Sequence, residues 1–128
     1  YGPYAKNLRH VLNIIEGHFI TGYGDASDEP GRPIELLPKA PKIAKSFINS
    51  FPDTQARFAR VARLIHGFET PFGMELLATV HWVTTREGAR SADEAIDRTY
   101  EWNERKRAFD AKQIRRAWQV LKDQGWLT

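Results

Sequence analysis

The sequence predicts a mainly α protein: one domain of five or six helices around a buried central helix, with a single small β-hairpin. Two observations carry this. The run Gly67-Phe-Glu-Thr-Pro-Phe-Gly-Met-Glu-Leu-Leu-Ala-Thr-Val-His-Trp82 is apolar or small almost throughout after Gly73. Five further segments space their apolar residues at helical intervals. A helix that is apolar on every side has to be covered on every side, so residues 71–86 read as the pillar of the domain. Thr70 suits the N-cap, and Pro71 the first helical position, where its missing N–H has no partner to lose.

The other elements follow in order. Leu8, Val11, Leu12, Ile15 and Phe19 form one stripe, which predicts a helix over residues 4–17. Residues 18–37 contain a β-prone segment, a loop of glycine, proline and acidic residues, and Ile34 to Leu37. The two ends of this stretch can pair as a hairpin. Ile43, Ala44, Phe47, Ile48 and Phe51 give a second stripe, broken by Pro52, and Phe58, Val61, Ala62, Ile65 and Phe68 a third. Beyond the pillar, which is expected to end near Gly88, Ser91 and Glu94 have capping-box spacing ahead of inward-facing Ala95, Ile96, Thr99 and Trp102. Asp110 and Gln113 repeat that start signal. Ile114, Ala117, Trp118 and Leu121 face inward on the last helix, and Gly125 is a good C′ residue.

A chain of 128 residues can bury roughly two thirds of its unfolded surface, enough for a real core. It contains no cysteine, which excludes disulfides, thiolate chemistry and Cys-based zinc sites. The absence of a signal peptide and of any apolar run of about 20 residues leads to the expectation of a cytoplasmic protein without membrane contact. The chain starts within a motif, and its one methionine is Met74, so it is expected to be a piece of a longer protein. A net charge of +3 permits nucleic-acid binding without arguing for it.

His10, His18, His66 and His81 form neither HxxxH nor HExxH, and no metal is expected. Gly22-Tyr-Gly24 starts like a dinucleotide fingerprint, but Ser27 stands where the third glycine belongs, so no cofactor is expected. No P-loop, nucleophile elbow or carboxylate pair stands out, and the expectation is that the chain is not an enzyme. Trp82, Trp102, Trp118 and Trp126 read as core residues. Trp102, followed by Asn103, Glu104 and Arg105, is the one suited to anchor a partner.

Two charged stretches remain. From Arg98 to Arg116 seven basic side chains face three acidic ones. The last helix resembles the end of a winged helix-turn-helix and could set Lys112, Arg115 and Arg116 against phosphates; the alternative is a solvated face. Arg57, Arg60 and Arg63 read as an exposed stripe. The opposite sign gathers at Asp25, Asp28, Glu29 and Glu35, beside Tyr23. That segment is either an acidic loop or a protein-binding edge aimed at a basic groove.

Three stretches together resemble the C-terminal domain of DarG-type antitoxins: Tyr1 to Asp25 (YGPYAKNLRHVLNIIEGHFITGYGD), the pillar, and Glu101 to Phe109 (EWNERKRAF) with the Ile114, Ala117-Trp118, Leu121 and Gly125-Trp126-Leu127 positions after it. The matches run over nearly the whole chain in the family's order. The resemblance implies a protein in which such a domain is joined to a macrodomain, absent from these residues. It also implies a DarT-type toxin as partner, one that transfers ADP-ribose from NAD onto thymidines of single-stranded DNA. In the family the macrodomain removes the mark, and the C-terminal domain binds and neutralises the toxin. The expected function is therefore that of an antitoxin domain which blocks the toxin's single-stranded DNA groove by local DNA mimicry. Tyr23, Asp25, Asp28, Glu29, Trp102 and Arg105 are the candidate toxin contacts. A winged-helix module binding operator DNA is the alternative.

Overall fold

The computed structural model describes residues 3–24 and 33–127. Its order is α1 (Lys6–Ile15), β1 (Ile20–Thr21), β2 (Glu35–Leu36), α2 (Ala40–Ile48), α3 (Pro52–Ile65), α4 (Pro71–Thr85), α5 (Ala92–Trp102), a short 3₁₀ helix (Glu104–Ala108) and α6 (Ala111–Asp123). The expected fold class is what forms: mainly helix, with one antiparallel hairpin in which Ile20 faces Leu36 and Thr21 faces Glu35. The chain divides into two compact units, Tyr4–Phe58 and, in the main, Ala59–Thr128.

The second unit holds the core. Leu76, Leu77, Val80 and Val83 of α4 are buried with Ala95 and Ile96 of α5 and Ile114, Ala117 and Leu121 of α6. Phe109, in the turn between the 3₁₀ helix and α6, closes the cluster and meets Phe72 edge-on with ring centroids 5.0 Å apart. The pillar is thus the most buried helix, but not on every side as its sequence suggests. Phe72, Met74, Glu75 and Ala78 remain exposed, because α5 and α6 cover only the Leu76/Leu77/Val80/Val83 face.

The ends of these helices are fixed by their own side chains. Thr70 Oγ1 accepts from the Gly73 amide at 3.0 Å. Ser91 Oγ accepts from the Glu94 amide, but the Glu94 carboxylate accepts from Arg90 rather than from the cap residue, one position beyond a reciprocal box. Asp110 and Gln113 complete the reciprocal pair, at 2.8 and 2.9 Å. At the end of α6, Gly125 has φ +69°, its amide reaches Lys122 O, and the Trp126 amide reaches Leu121 O at 2.8 Å. This is the two-bond glycine termination expected of a C′ glycine. Gly73 serves a different need: a Cβ there would lie 2.6 Å from the Phe68 carbonyl oxygen, so the chain folds back on α4 only without a side chain.

The first unit is built differently. Ile20 and Ala40 are its buried hydrophobic residues among those described. α1 buries none of its side chains, and α2 only Ala40. The amphipathic stripes of the sequence are present but uncovered: Phe47 is 71% exposed, Phe58 62% and Leu8 53%. Periodicity identifies which face of a helix is apolar; it carries no information on what will cover that face. In the third stripe, only Ile65 and Phe68 pack against the core, and Val61 stays exposed.

Leu77→Ala is expected to cost about 2–5 kcal/mol, the range for a buried leucine whose cavity does not collapse. Chemical denaturation of the two proteins checks this, and an unchanged midpoint would refute the burial.

Candidate functional site

The sequence candidates fall in two places. Trp102 ends α5, and Asn103 leaves the helix with extended backbone (φ −165°, ψ 163°). Its side-chain oxygen then accepts from the Lys106 amide at 3.2 Å, which starts the 3₁₀ helix at once. The sharp turn opens a cleft of about 640 Å³ bounded by Glu75, Trp102, Asn103, Glu104, Arg105 and Lys106. Trp102 is half-buried against the core while Glu104 and Arg105 are exposed. The structure therefore brings Trp102 and Arg105 to one cleft, as their four-residue segment suggests.

The floor of this cleft was not legible as such. In the sequence Lys106 is one of seven basic residues between Arg98 and Arg116, yet it is only 4% exposed. Its Nζ donates to Glu75 Oε1 at 2.7 Å and to Thr79 Oγ1 at 3.1 Å. It also lies 5.3 Å from the Trp102 ring centroid and 5.6 Å from that of Phe109. An ammonium buried against two aromatic faces needs a counter-charge, and Glu75, itself largely exposed, supplies it. The available signal was Glu75 and Thr79, two polar residues one turn apart in the otherwise apolar first ten residues of α4.

Other parts of the basic stretch are also engaged. Arg115 donates to Asp93 at 2.6 Å, and Arg107 lies 5.7 Å from the Tyr100 ring centroid. Arg60 is not part of a free stripe: it stacks 4.1 Å over Trp126 and donates to Gly125 O at 2.9 Å. The tryptophans are half-buried, Trp102, Trp118 and Trp126 against the core, and each has a cation near its ring, Arg86 for Trp82 and Lys122 for Trp118 among them. For the winged-helix alternative, the hairpin among the described residues comes before α2 in the chain rather than after α6.

Tyr23 belongs to the other unit, where the Glu16 carboxylate accepts from the amides of Gly22 and Tyr23 at 3.1 and 3.3 Å. Gly22 has φ +95°, and a Cβ on it would lie 2.4 Å from the Pro33 carbonyl oxygen. The glycine thus allows two strands of backbone to pass closely while the carboxylate pins the turn that presents Tyr23. Asp25, Asp28 and Glu29 lie outside the described residues.

His81 sits in a slot of about 210 Å³ with Leu64, Ile65, Met74, Leu77 and Trp126, its ring 6.4 Å from that of Trp126. Burial, then the charge of Arg86, hold its pKa below the ordinary value of 6.5, outweighing a backbone hydrogen bond at Trp126 that acts in the opposite direction. No helix among the described residues is long and apolar enough to cross a membrane.

No family model matches the chain. Curated relatives do match. A protein of Thermus aquaticus named DNA ADP-ribosyl glycohydrolase is 41% identical over 127 residues, covering 99% of this chain and 35% of its own length. Proteins of the same name from Mycobacterium bovis and Mycobacterium tuberculosis are 39% identical over 111 residues, covering 83% of this chain and 32% of theirs. The chain is therefore homologous to proteins that bear the name of a hydrolase for ADP-ribosylated DNA, and its relation to DarG-type proteins is borne out. It spans about a third of the length of these relatives. The expectation that the chain is not an enzyme is corrected by the same finding: all three relatives are named for an enzyme activity. The reading failed because it rested on the lack of recognisable catalytic strings, and such a lack excludes only the chemistries whose strings are known.

Two outcomes follow from this geometry. Glu75→Ala strips the counter-charge from Lys106 and is expected to cost about 1–2 kcal/mol, discounted for the carboxylate's exposure, whereas Lys106→Met, which leaves Glu75 in water, is expected to be near neutral. Equal losses in denaturant titrations would refute the asymmetry. A depressed imidazole pKa favours the neutral folded form, so the stability it contributes is complete above about 6.5 and is lost as pH falls from there through the folded value. The unfolding free energy of wild type should therefore drop more between pH 7 and pH 5 than that of His81→Phe. Parallel profiles would exclude His81 as the cause.

Proposed function

We propose that this chain is the toxin-binding part of a DarG-type protein, acting beside the glycohydrolase activity for which its relatives are named. In this reading it neutralises a DarT-type toxin by occupying the path of that toxin's single-stranded DNA. A macrodomain in cis completes the protein. The observation that carries the proposal is the Trp102–Arg105 cleft. Tryptophan and arginine dominate the energetics of protein interfaces, and here both are held at one opening on a turn fixed by Asn103 and by the Lys106–Glu75 pair.

Tyr23 with Asp25, Asp28 and Glu29 is proposed as a separate toxin contact, carried by the first unit. A groove built for single-stranded DNA offers positive charge for the backbone and platforms for the bases. An acidic segment beside a tyrosine has the complementary chemistry. The chain's net charge of +3 makes any such mimicry local. The winged-helix alternative draws less support, since Arg115, one of the three cations it would set against phosphates, is paired with Asp93.

Arg105→Ala is expected to weaken the complex with the toxin about tenfold or more, and lysine at positions 25, 28 and 29 to slow its association. Arg115→Glu with Arg116→Glu should leave binding intact. Surface plasmon resonance with a thymidine-containing oligonucleotide as competitor measures all three. A stable ternary complex of toxin, oligonucleotide and this chain would refute the blocked-groove reading, and a loss confined to the Arg115/Arg116 variant would move the interface to α6.

A further inference from the structure

The first unit carries an apolar groove that the proposed toxin contacts do not use. Phe19, Ile43, Phe47, Ile48, Phe51 and Phe58 surround a cavity of about 660 Å³. Three elements build it: the segment before β1, the outward face of α2, and the start of α3 with the turn that precedes it. The Phe47 and Phe51 rings lie 5.2 Å apart and tilted by 38°, forming one wall. Ile43, Phe47, Phe51 and Phe58 are all exposed, Phe47 most of all. A contiguous patch of large apolar side chains around a concavity is the signature of a binding surface.

We propose that this groove takes an amphipathic helix of a partner protein whose apolar face is flanked by acidic residues. Charge complementarity selects the flanks. By helical spacing Lys39 and Lys45 border the apolar stripe of α2, and Arg57 borders that of α3. All three are exposed, and none has an ion-pair partner among the described residues. Asp53, in the first turn of α3, and Glu35, on β2, are the acidic residues nearby in sequence among those described. A cationic border around an apolar floor attracts glutamate and aspartate and repels a second copy of the same border. It is also the wrong sign for the cationic groove of a DNA-binding toxin, so this surface and the toxin surface take different partners.

Shape selects the helix. The site is a concavity lined from three segments of the chain, and an amphipathic helix laying its apolar face into a hydrophobic groove is the recognition mode that fits it. The nine residues of α2 extend about 13 Å at 1.5 Å per residue, which matches two to three turns of an occupant.

The test is titration of the whole chain with a fluorescent peptide of about three helical turns, leucines on one face and glutamates flanking them, beside its lysine counterpart. The glutamate peptide should bind saturably and the lysine peptide should not. Phe47→Ser, at a position too exposed to hold the fold, should keep the circular dichroism melt and weaken binding about tenfold or more. Lys45→Glu with Arg57→Glu should reverse the preference between the peptides. Equal binding of both peptides, no saturation, or indifference to Phe47→Ser would overturn the proposal. So would a Phe47-dependent dimer in sedimentation, or Phe47-dependent binding to phosphatidylglycerol vesicles in preference to the peptide.

Discussion

The structure rests on the burial of one face of α4. Leu76, Leu77, Val80 and Val83 supply the apolar surface against which α5 and α6 are organised. The same helix carries Glu75 and Thr79, which receive the Lys106 ammonium and so fix the turn after Trp102. Core and cleft therefore share a scaffold. Gly73 is part of that constraint: α4 can start where it does because no Cβ stands between it and the Phe68 carbonyl.

Much of this was legible in the residues. Thr70-Pro71, Asp110 with Gln113, and Gly125 mark helix ends by local chemistry, and local chemistry is what a sequence records best. The hairpin between residues 20 and 36 was legible from β-prone segments bracketing a turn-rich loop. The site was less so. That Trp102 and Arg105 share a cleft follows from their closeness in sequence. That Lys106 is buried follows from a partner 31 positions away, which no local pattern reports. The stripes of α1 and α2 mislead in another way. They look like core faces, but most of their large apolar side chains stay exposed, because amphipathicity is equally the pattern of a helix awaiting a partner.

These features divide the molecule by task. The second unit has the packed core and holds its cleft on rigid elements, which suits a preformed recognition site. The first unit keeps its apolar residues outside, which is costly unless something uses them. Both units lie within the stretch that matches proteins named DNA ADP-ribosyl glycohydrolase. In the proposed reading one protein combines removal of the mark with restraint of the toxin that writes it, and each surface has its own partner.

The most direct test of that reading is a hydrogen-exchange comparison of the chain alone and with a DarT-type toxin. The account expects slowed exchange at the amides of Asn103, Glu104 and Arg105 and at those following Tyr23, with α6 beyond its first turn unchanged. Protection confined to α6, or none at all in a mixture shown by sedimentation to be complexed, would contradict it.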